Sequence, residues 1–177
     1  MERFGRGDAA AFEALYHRHE KRVFNFLMRT LRHEAMANDV MQEVWFAVAK
    51  QANRYQPLAK FTTWLFTIAH HRMIDALRRL RPHESLDADD DGSNSFEPAA
   101  DQSSEPAAAF ERGDQARAIM TALAQLPSVQ REAFLMQAEG ELGVEDIALA
   151  TGSSFETVKS RLRYARDKLR RVLTEYA

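Results

Sequence analysis

Between residues 144 and 172 the chain runs VEDIALATGSSFETVKSRLRYARDKLRRV, and its pattern separates into two helices with a turn between them. Val144 to Ala150 reads as a short helix that follows Gly143. Thr151-Gly152-Ser153-Ser154 forms the turn, with glycine where a positive φ is needed, and Ser154 is placed to cap the longer helix that follows. In that helix Val158, Leu162, Ala165, Leu169 and Val172 recur at intervals of four and three, so they form one apolar stripe. The opposite face at its N-terminal end holds Glu156, Ser160 and Arg163, flanked by Lys159 and Tyr164. A short helix, a glycine turn and a long basic helix are the sequence form of a helix-turn-helix, whose second helix presents its N-terminal residues to base edges in the major groove. On that face Arg163 offers two donors to guanine, Glu156 an acceptor for cytosine N4, and the other basic residues suit phosphates. A solvated basic helix explains the charge but not the turn before it.

Reading outward, residues 115–177 hold four helical segments. The first spans about Gln115 to Gln125 and stops at Leu126-Pro127; Ser128 is expected to cap the second, which ends near Gly140. At the other end of the chain, Asp8 is an expected N-cap for a helix with the stripe Phe12, Leu15, Tyr16, Val23, Phe26, Leu27 and Leu31. A second helix covers roughly Ala35 to Ala52 with Val40, Val44 and Val48 on one face. After the break at Asn53 to Pro57, a third runs from about Thr62 to Leu80. Its apolar face is Leu65, Phe66, Ala69, Met73, Ala76, Leu77 and Leu80; its other face carries Lys60, Trp64, Thr67, His71 and Arg78. No stretch alternates with period two, so the expected class is all-α. From Pro82 to Asp114 large apolar residues are scarce and acids abundant, the composition of a flexible linker. The expected layout is two small helical domains, 1–82 and 115–177, joined by an acidic linker at 83–114.

The charge follows the same partition. A net charge of −2 over 177 residues argues against a nucleic-acid partner only until the chain is divided. Residues 1–82 carry 14 basic and 8 acidic side chains (+6), residues 83–114 carry 1 and 10 (−9), and residues 115–177 carry 9 and 8 (+1). With no cysteine, the chain has no disulfide, thiol nucleophile or Cys-ligated metal, a composition that fits a reducing cytoplasm. No apolar run is long enough for a membrane span, and no hydrophobic signal segment opens the chain.

Asp87 to Gly92 begins like a calcium loop, but Pro98 stands where its closing Glu belongs. His70, His71 and Asp75 do not make a complete metal set. There is no phosphate-cradling loop or nucleophile motif, so neither a cofactor, a metal nor a catalytic site is expected.

Taken together, these segments resemble an extracytoplasmic-function (ECF, group 4) RNA polymerase sigma factor of the sigma-70 family. The resemblance rests on Phe12-Glu13-Ala14-Leu15-Tyr16, Asp39-Val40-Met41-Gln42-Glu43-Val44-Trp45, Phe61-Thr62-Thr63-Trp64-Leu65 and Ile68 to Asp75 in the first half. In the second half it rests on Leu126-Pro127, Arg131-Glu132, Thr157 to Leu162 and Ala165-Arg166. It implies a sigma region 2 domain at 1–82 and a region 4 domain at 115–177, which direct core RNA polymerase to promoter DNA and assist its melting.

Core polymerase docking then falls to Asp39, Gln42 and Glu43, with Trp45 at the border, although a hydrated acidic face fits the same pattern. The melted −10 element falls to Tyr55, Lys60, Phe61, Thr62, Thr63 and Trp64, with His71, Arg72 and Arg78 further along; Phe61 and Trp64 also fit a core role. His71 departs from the family, which commonly has Asn there. The double-stranded −35 element falls to Ser153, Ser154, Glu156, Thr157, Lys159, Ser160, Arg163 and Tyr164. The resemblance further implies an anti-sigma factor as partner, and a linker passing through the polymerase cleft that either mimics nucleic acid or serves as a tether.

Two other classes compete. One is a stand-alone helix-turn-helix regulator that binds DNA as a dimer; the other is a helical protein-interaction module. Neither gives a reason for the motifs at 39–45 and 61–75.

Overall fold

The computed structural model describes residues 1–80 and 110–175, and every described regular element is helical. The N-terminal bundle contains α1 (Glu2–Gly5), α2 (Ala9–Leu31), α3 (Glu34–Lys50), a 3-10 turn (Ala52–Arg54) and α4 (Phe61–Leu80). The C-terminal bundle contains α5 (Phe110–Ala124), α6 (Ser128–Gly140), α7 (Val144–Thr151) and α8 (Phe155–Glu175). The calcium-like stretch and most of the expected linker lie outside the described residues. Residues 110–114, read as the end of the linker, belong to α5. Its apolar periodicity begins only further along, so the sequence pattern missed the first turn.

Local chemistry sets most of the helix ends. The Asp8 carboxylate accepts the Ala11 N–H at 3.1 Å and starts α2. His33 starts α3 in the same way, its Nδ1 accepting the Met36 N–H at 3.2 Å. Ser154 Oγ accepts the Thr157 N–H at 3.2 Å and starts α8, and Gly152 takes φ 63° after α7. Ser128, expected as a cap, is instead the first residue of α6. Pro127 occupies the cap position because its ring fixes φ at −50° and its carbonyl accepts the Gln130 N–H at 3.0 Å. Two helices end on charged residues in the left-handed region, Arg32 at φ 56° after α2 and Glu141 at φ 55° after α6.

The stripes meet as the wheels require. Val23, Phe26 and Leu27 of α2, Val40, Val44 and Val48 of α3, and Leu65, Phe66, Ala69 and Met73 of α4 are buried together. Phe26 and Phe66 sit 5.3 Å apart. Leu80, placed on this stripe by the wheel, is instead 58% exposed at the last residue of α4.

The same core continues into the C-terminal bundle through Leu135, Met136, Leu142, Ile147, Val158 and Leu162. Gly140 comes so close to Phe66 that an added Cβ would lie 3.2 Å from its ring. A smaller cluster of Ala122, Leu123, Leu126, Ala165 and Leu169 ties α5 to α8. A bundle of about sixty residues buries little surface alone, and sharing a core with the first bundle offsets that deficit.

Trp45 is 6% exposed, with its ring centroid 5.0 Å from Tyr16 and 5.9 Å from Phe12. It is therefore a core residue behind the α3 surface and not part of that surface, as the motif had suggested. Trp64 is only half-buried. A Trp64→Phe variant should retain the blue-shifted emission of a shielded indole and resist acrylamide, whereas Trp45→Phe should leave an accessible, readily quenched fluorophore. Equal quenching of the two variants would contradict this placement.

Candidate nucleic-acid interface

At the start of α4 the chain gathers aromatic rings. The Tyr55 and Trp64 centroids are 5.0 Å apart, Phe61 and Trp64 5.8 Å, and Tyr55 and Phe61 6.3 Å. The 3-10 turn delivers Tyr55 to this cluster, its N–H reaching the Ala52 carbonyl at 3.3 Å. Burial first, and then Glu2, raise the Tyr55 phenol, which keeps it a neutral hydrogen-bond donor. Beneath Phe61, at 5.3 Å, lies His19. Burial, helped by Arg18 and Arg22, lowers its imidazole, and its buried Nδ1 has no hydrogen-bond partner among the described residues.

Trp64 forms one wall of an open groove of about 310 Å³ whose other lining residues are Gln51, Thr67, Ile68, His71, Arg72 and Asp75. An indole face, amide and imidazole edges and a guanidinium are the groups that hold an unstacked base and its phosphate. Gln51 was not legible from sequence, because it ends α3 and reaches the groove only through the packing of α3 on α4. Thr62 is half-buried at the first turn, and Arg78 is exposed at the far end of α4, outside the groove.

Two of the expected DNA-facing residues have a partner on α7. Thr63 is 1% exposed and donates its hydroxyl to Asp146 of α7 at 2.8 Å. The Lys60 ammonium is 3.6 Å from the same carboxylate. Burial acts to raise the Asp146 carboxyl, but the Thr63 hydroxyl, the Gly143 N–H and Lys60 together hold it below its ordinary value. The spacing that places Thr63 at the start of α4 is local, whereas its partner is 83 residues away.

On α3, Asp39, Gln42 and Glu43 share one face, as helical spacing requires. Asp39 and Gln42 are exposed, and Glu43 accepts from Arg79 of α4 at 2.8 Å. Phe46, 72% exposed and one turn further on, extends this face with an aromatic ring. It lies one residue beyond the motif at 39–45, and the sequence reading did not single it out.

The helix-turn-helix has the expected form. Val158, Leu162, Ala165 and Leu169 are buried, while Glu156, Lys159, Ser160, Arg163 and Tyr164 face solvent. The Arg163 guanidinium sits 5.0 Å from the Tyr164 ring centroid, and Lys159 pairs with Glu156 at 3.6 Å. Ser153 accepts from Arg161 at 2.9 Å, and Ser154 and Thr157 bond to each other at 2.8 Å, so these three shape the turn. Not every basic residue of α8 is held outward: Lys168 donates to the Gln125 carbonyl at 3.0 Å and Arg166 to Gln137. Val129 and Gln130 of α6 line a shallow groove of about 440 Å³ with Glu156, Thr157, Ser160, Arg161 and Tyr164. Both lie outside the helix-turn-helix motif, and only the packing of α6 on α8 brings them there.

Residues 15–82 match the family model described as Sigma-70 region 2, and residues 116–169 match Sigma-70, region 4. The RNA polymerase sigma factor CarQ of Myxococcus xanthus is 34% identical over 175 residues, covering 99% of this chain and 96% of that protein. The ECF RNA polymerase sigma factor RpoE of Cereibacter sphaeroides is 33% identical over 164 residues, covering 92% and 86%. Among solved structures, CnrH in complex with the cytosolic domain of CnrY superposes with a TM-score of 0.65 at 24% identity, over 98% of this chain and 94% of that one. The sigma factor RpoE in complex with the anti-sigma factor NepR from Bartonella quintana gives 0.67 at 20% identity, over 93% and 97%. With two relatives above 30% identity along nearly its full length, and with both sigma regions in order, the chain belongs to the ECF RNA polymerase sigma factors.

Proposed function

We propose a division of labour among the surfaces described above for a promoter-recognition subunit of RNA polymerase. The exposed α3 face, with Asp39, Gln42, Glu43 and Phe46, docks on core polymerase. The groove beside Trp64, with Tyr55, Phe61, His71 and Arg72, takes an unstacked −10 base and its phosphate. Lys60, Thr62, Thr63 and Arg78 join those contacts when DNA is bound. The outer face of α8, with Glu156, Lys159, Ser160, Arg163 and Tyr164, reads the −35 duplex, and Ser153, Ser154 and Thr157 set its angle.

The observation that carries this reading is the groove itself, where an indole left half-buried at the start of α4 stands beside His71 and Arg72. Capturing a base outside the stack shifts the duplex toward its open form without covalent chemistry, so the chain acts as a non-catalytic initiation factor in the cytoplasm. Holding two weak DNA contacts on one polymerase gives each a high effective concentration for the other. Residues 83–114 act as the acidic connection between the two regions. The anti-sigma complexes of CnrH and of the Bartonella RpoE support an anti-sigma partner here as well. A stand-alone dimeric regulator is disfavoured, since it leaves the region 2 match and the α3 face without a role.

Two substitutions test the assignments. Asp39→Lys should weaken binding to core polymerase roughly tenfold or more, about 1.4 kcal/mol, with an unchanged circular dichroism spectrum; unaltered affinity would reject the docking face. Arg163→Ala should cost about 1–3 kcal/mol and relax the preference at one −35 base pair, measured with holoenzyme on a panel of promoter variants. A loss spread evenly over all variants would make Arg163 a phosphate contact.

A further inference from the structure

Between the 3-10 turn and α4 the chain makes a short loop, and both of its ends are fixed. Tyr55 enters it and Phe61 leaves it, with ring centroids 6.3 Å apart, and these rings lie 5.0 Å and 5.8 Å from that of Trp64. The five residues between them, Gln56-Pro57-Leu58-Ala59-Lys60, therefore run out and back. Leu58 stands three residues from Tyr55 and three from Phe61, so it is the tip. Three residues span at most about 11 Å, which is about three base steps along a strand. The tip thus stays close to any base held against Trp64. Its backbone is braced as well: Pro57 has its φ fixed by its ring, and the Leu58 N–H donates to the Gln56 carbonyl at 2.8 Å, closing a three-residue turn.

Leu58 is 88% exposed, the most of any large apolar residue among the described ones. A single leucine on a surface is ordinary. A leucine at the tip of a braced loop, beside a groove that takes up an unstacked base, has a specific use. Its side chain carries no donor or acceptor, so it hydrogen-bonds to neither a base edge nor a phosphate. What it can do is displace, since apolar side chains that enter between base steps unstack them and kink the duplex. Arg54 before the loop and Lys60 at its end are both exposed, which places a cation for a phosphate on either side of the tip. We propose that Leu58 is a strand-opening wedge, which enters the base stack beside the nucleotide taken up by the Trp64 groove and fills the gap left behind. The proposal rests on the reading of that groove as the −10 base site. Capture and wedging then divide the work. The groove holds a base once it is out, and Leu58 hinders its return, so Leu58 acts while the strands are still paired and has little to do once they are apart.

Two templates separate these roles. Holoenzyme is assembled with the full chain, and the rate at which the first RNA product appears is measured on a promoter duplex and on the same promoter with a mismatched bubble across its −10 element. On the duplex, 2-aminopurine in that element reports opening directly. Position 58 is exposed, so Leu58→Ala should leave the circular dichroism spectrum unchanged. It should slow opening and product formation on the duplex about tenfold or more, and alter the rate on the bubble by less than about twofold. Leu58→Met, which keeps the apolar bulk, should restore most of the duplex rate. Equal losses on both templates would make Leu58 a contact to the separated strand and overturn the wedge, and an unchanged rate on the duplex would overturn it as well. Trp64→Leu should be impaired on both templates, since its groove holds a base that is already out. If Trp64→Leu is impaired on neither, the reading of the groove fails, while the comparison at Leu58 still decides whether the loop tip opens the duplex.

Discussion

Helix α4 has to satisfy two incompatible surroundings at once, and the arrangement of the rest of the molecule follows from how it does so. Leu65, Phe66, Ala69 and Met73 on one side need to be dry, and α2 and α3 cover them. Trp64, His71 and Arg72 on another side stay at an open groove. Phe66 is fully buried with Phe26 on one side and Gly140 of the C-terminal bundle close to its ring, so the sigma region 4 bundle completes a core that begins in region 2. The burial that fixes α4 rigidly enough to display an indole is thus shared between the two halves of the chain.

This sharing sets a tension between stability and access. Thr63 donates a hydrogen bond across the contact to Asp146 and is 1% exposed there. His70 does the same with Glu132, deep in the contact. Removing one member of such a buried pair leaves the other without a partner, which costs more than the pair contributes when intact. The outer pairs involving Arg22 and Lys60 remain exposed and yield to salt or to competing charge. The junction is therefore firm at its centre and labile at its margin.

The helices could be read from sequence because their determinants are local. Asp8, Gly152 and Ser154 announce helix ends by their own chemistry, and the stripe from Val158 to Leu169 shows the buried face of α8 without knowledge of its neighbours. Where the reading failed, the deciding partner was remote. Trp45 left the surface because Phe12 and Tyr16, some thirty residues earlier, pack against its ring. Thr63 is turned to Asp146, 83 residues away, and Gln51, Val129 and Gln130 joined grooves through helix packing that no periodicity encodes. The resemblance to sigma factors supplied residue roles that spacing alone left open, and the relatives bear out the family itself.

The backbone at Glu141 adds a different kind of information. The residue ends α6 with φ 55°, a conformation that glycine adopts freely and that costs another residue about 1–2 kcal/mol. A carboxylate at this turn reaches Arg22 across the bundle contact, and glycine would not. The position thus trades backbone ease against attraction between the halves. It touches neither the groove at Trp64 nor the outer face of α8. The turn thus ties the end of α6 to α2 at a point remote from both grooves, so the grip between the halves and the surfaces at those grooves are set by different residues.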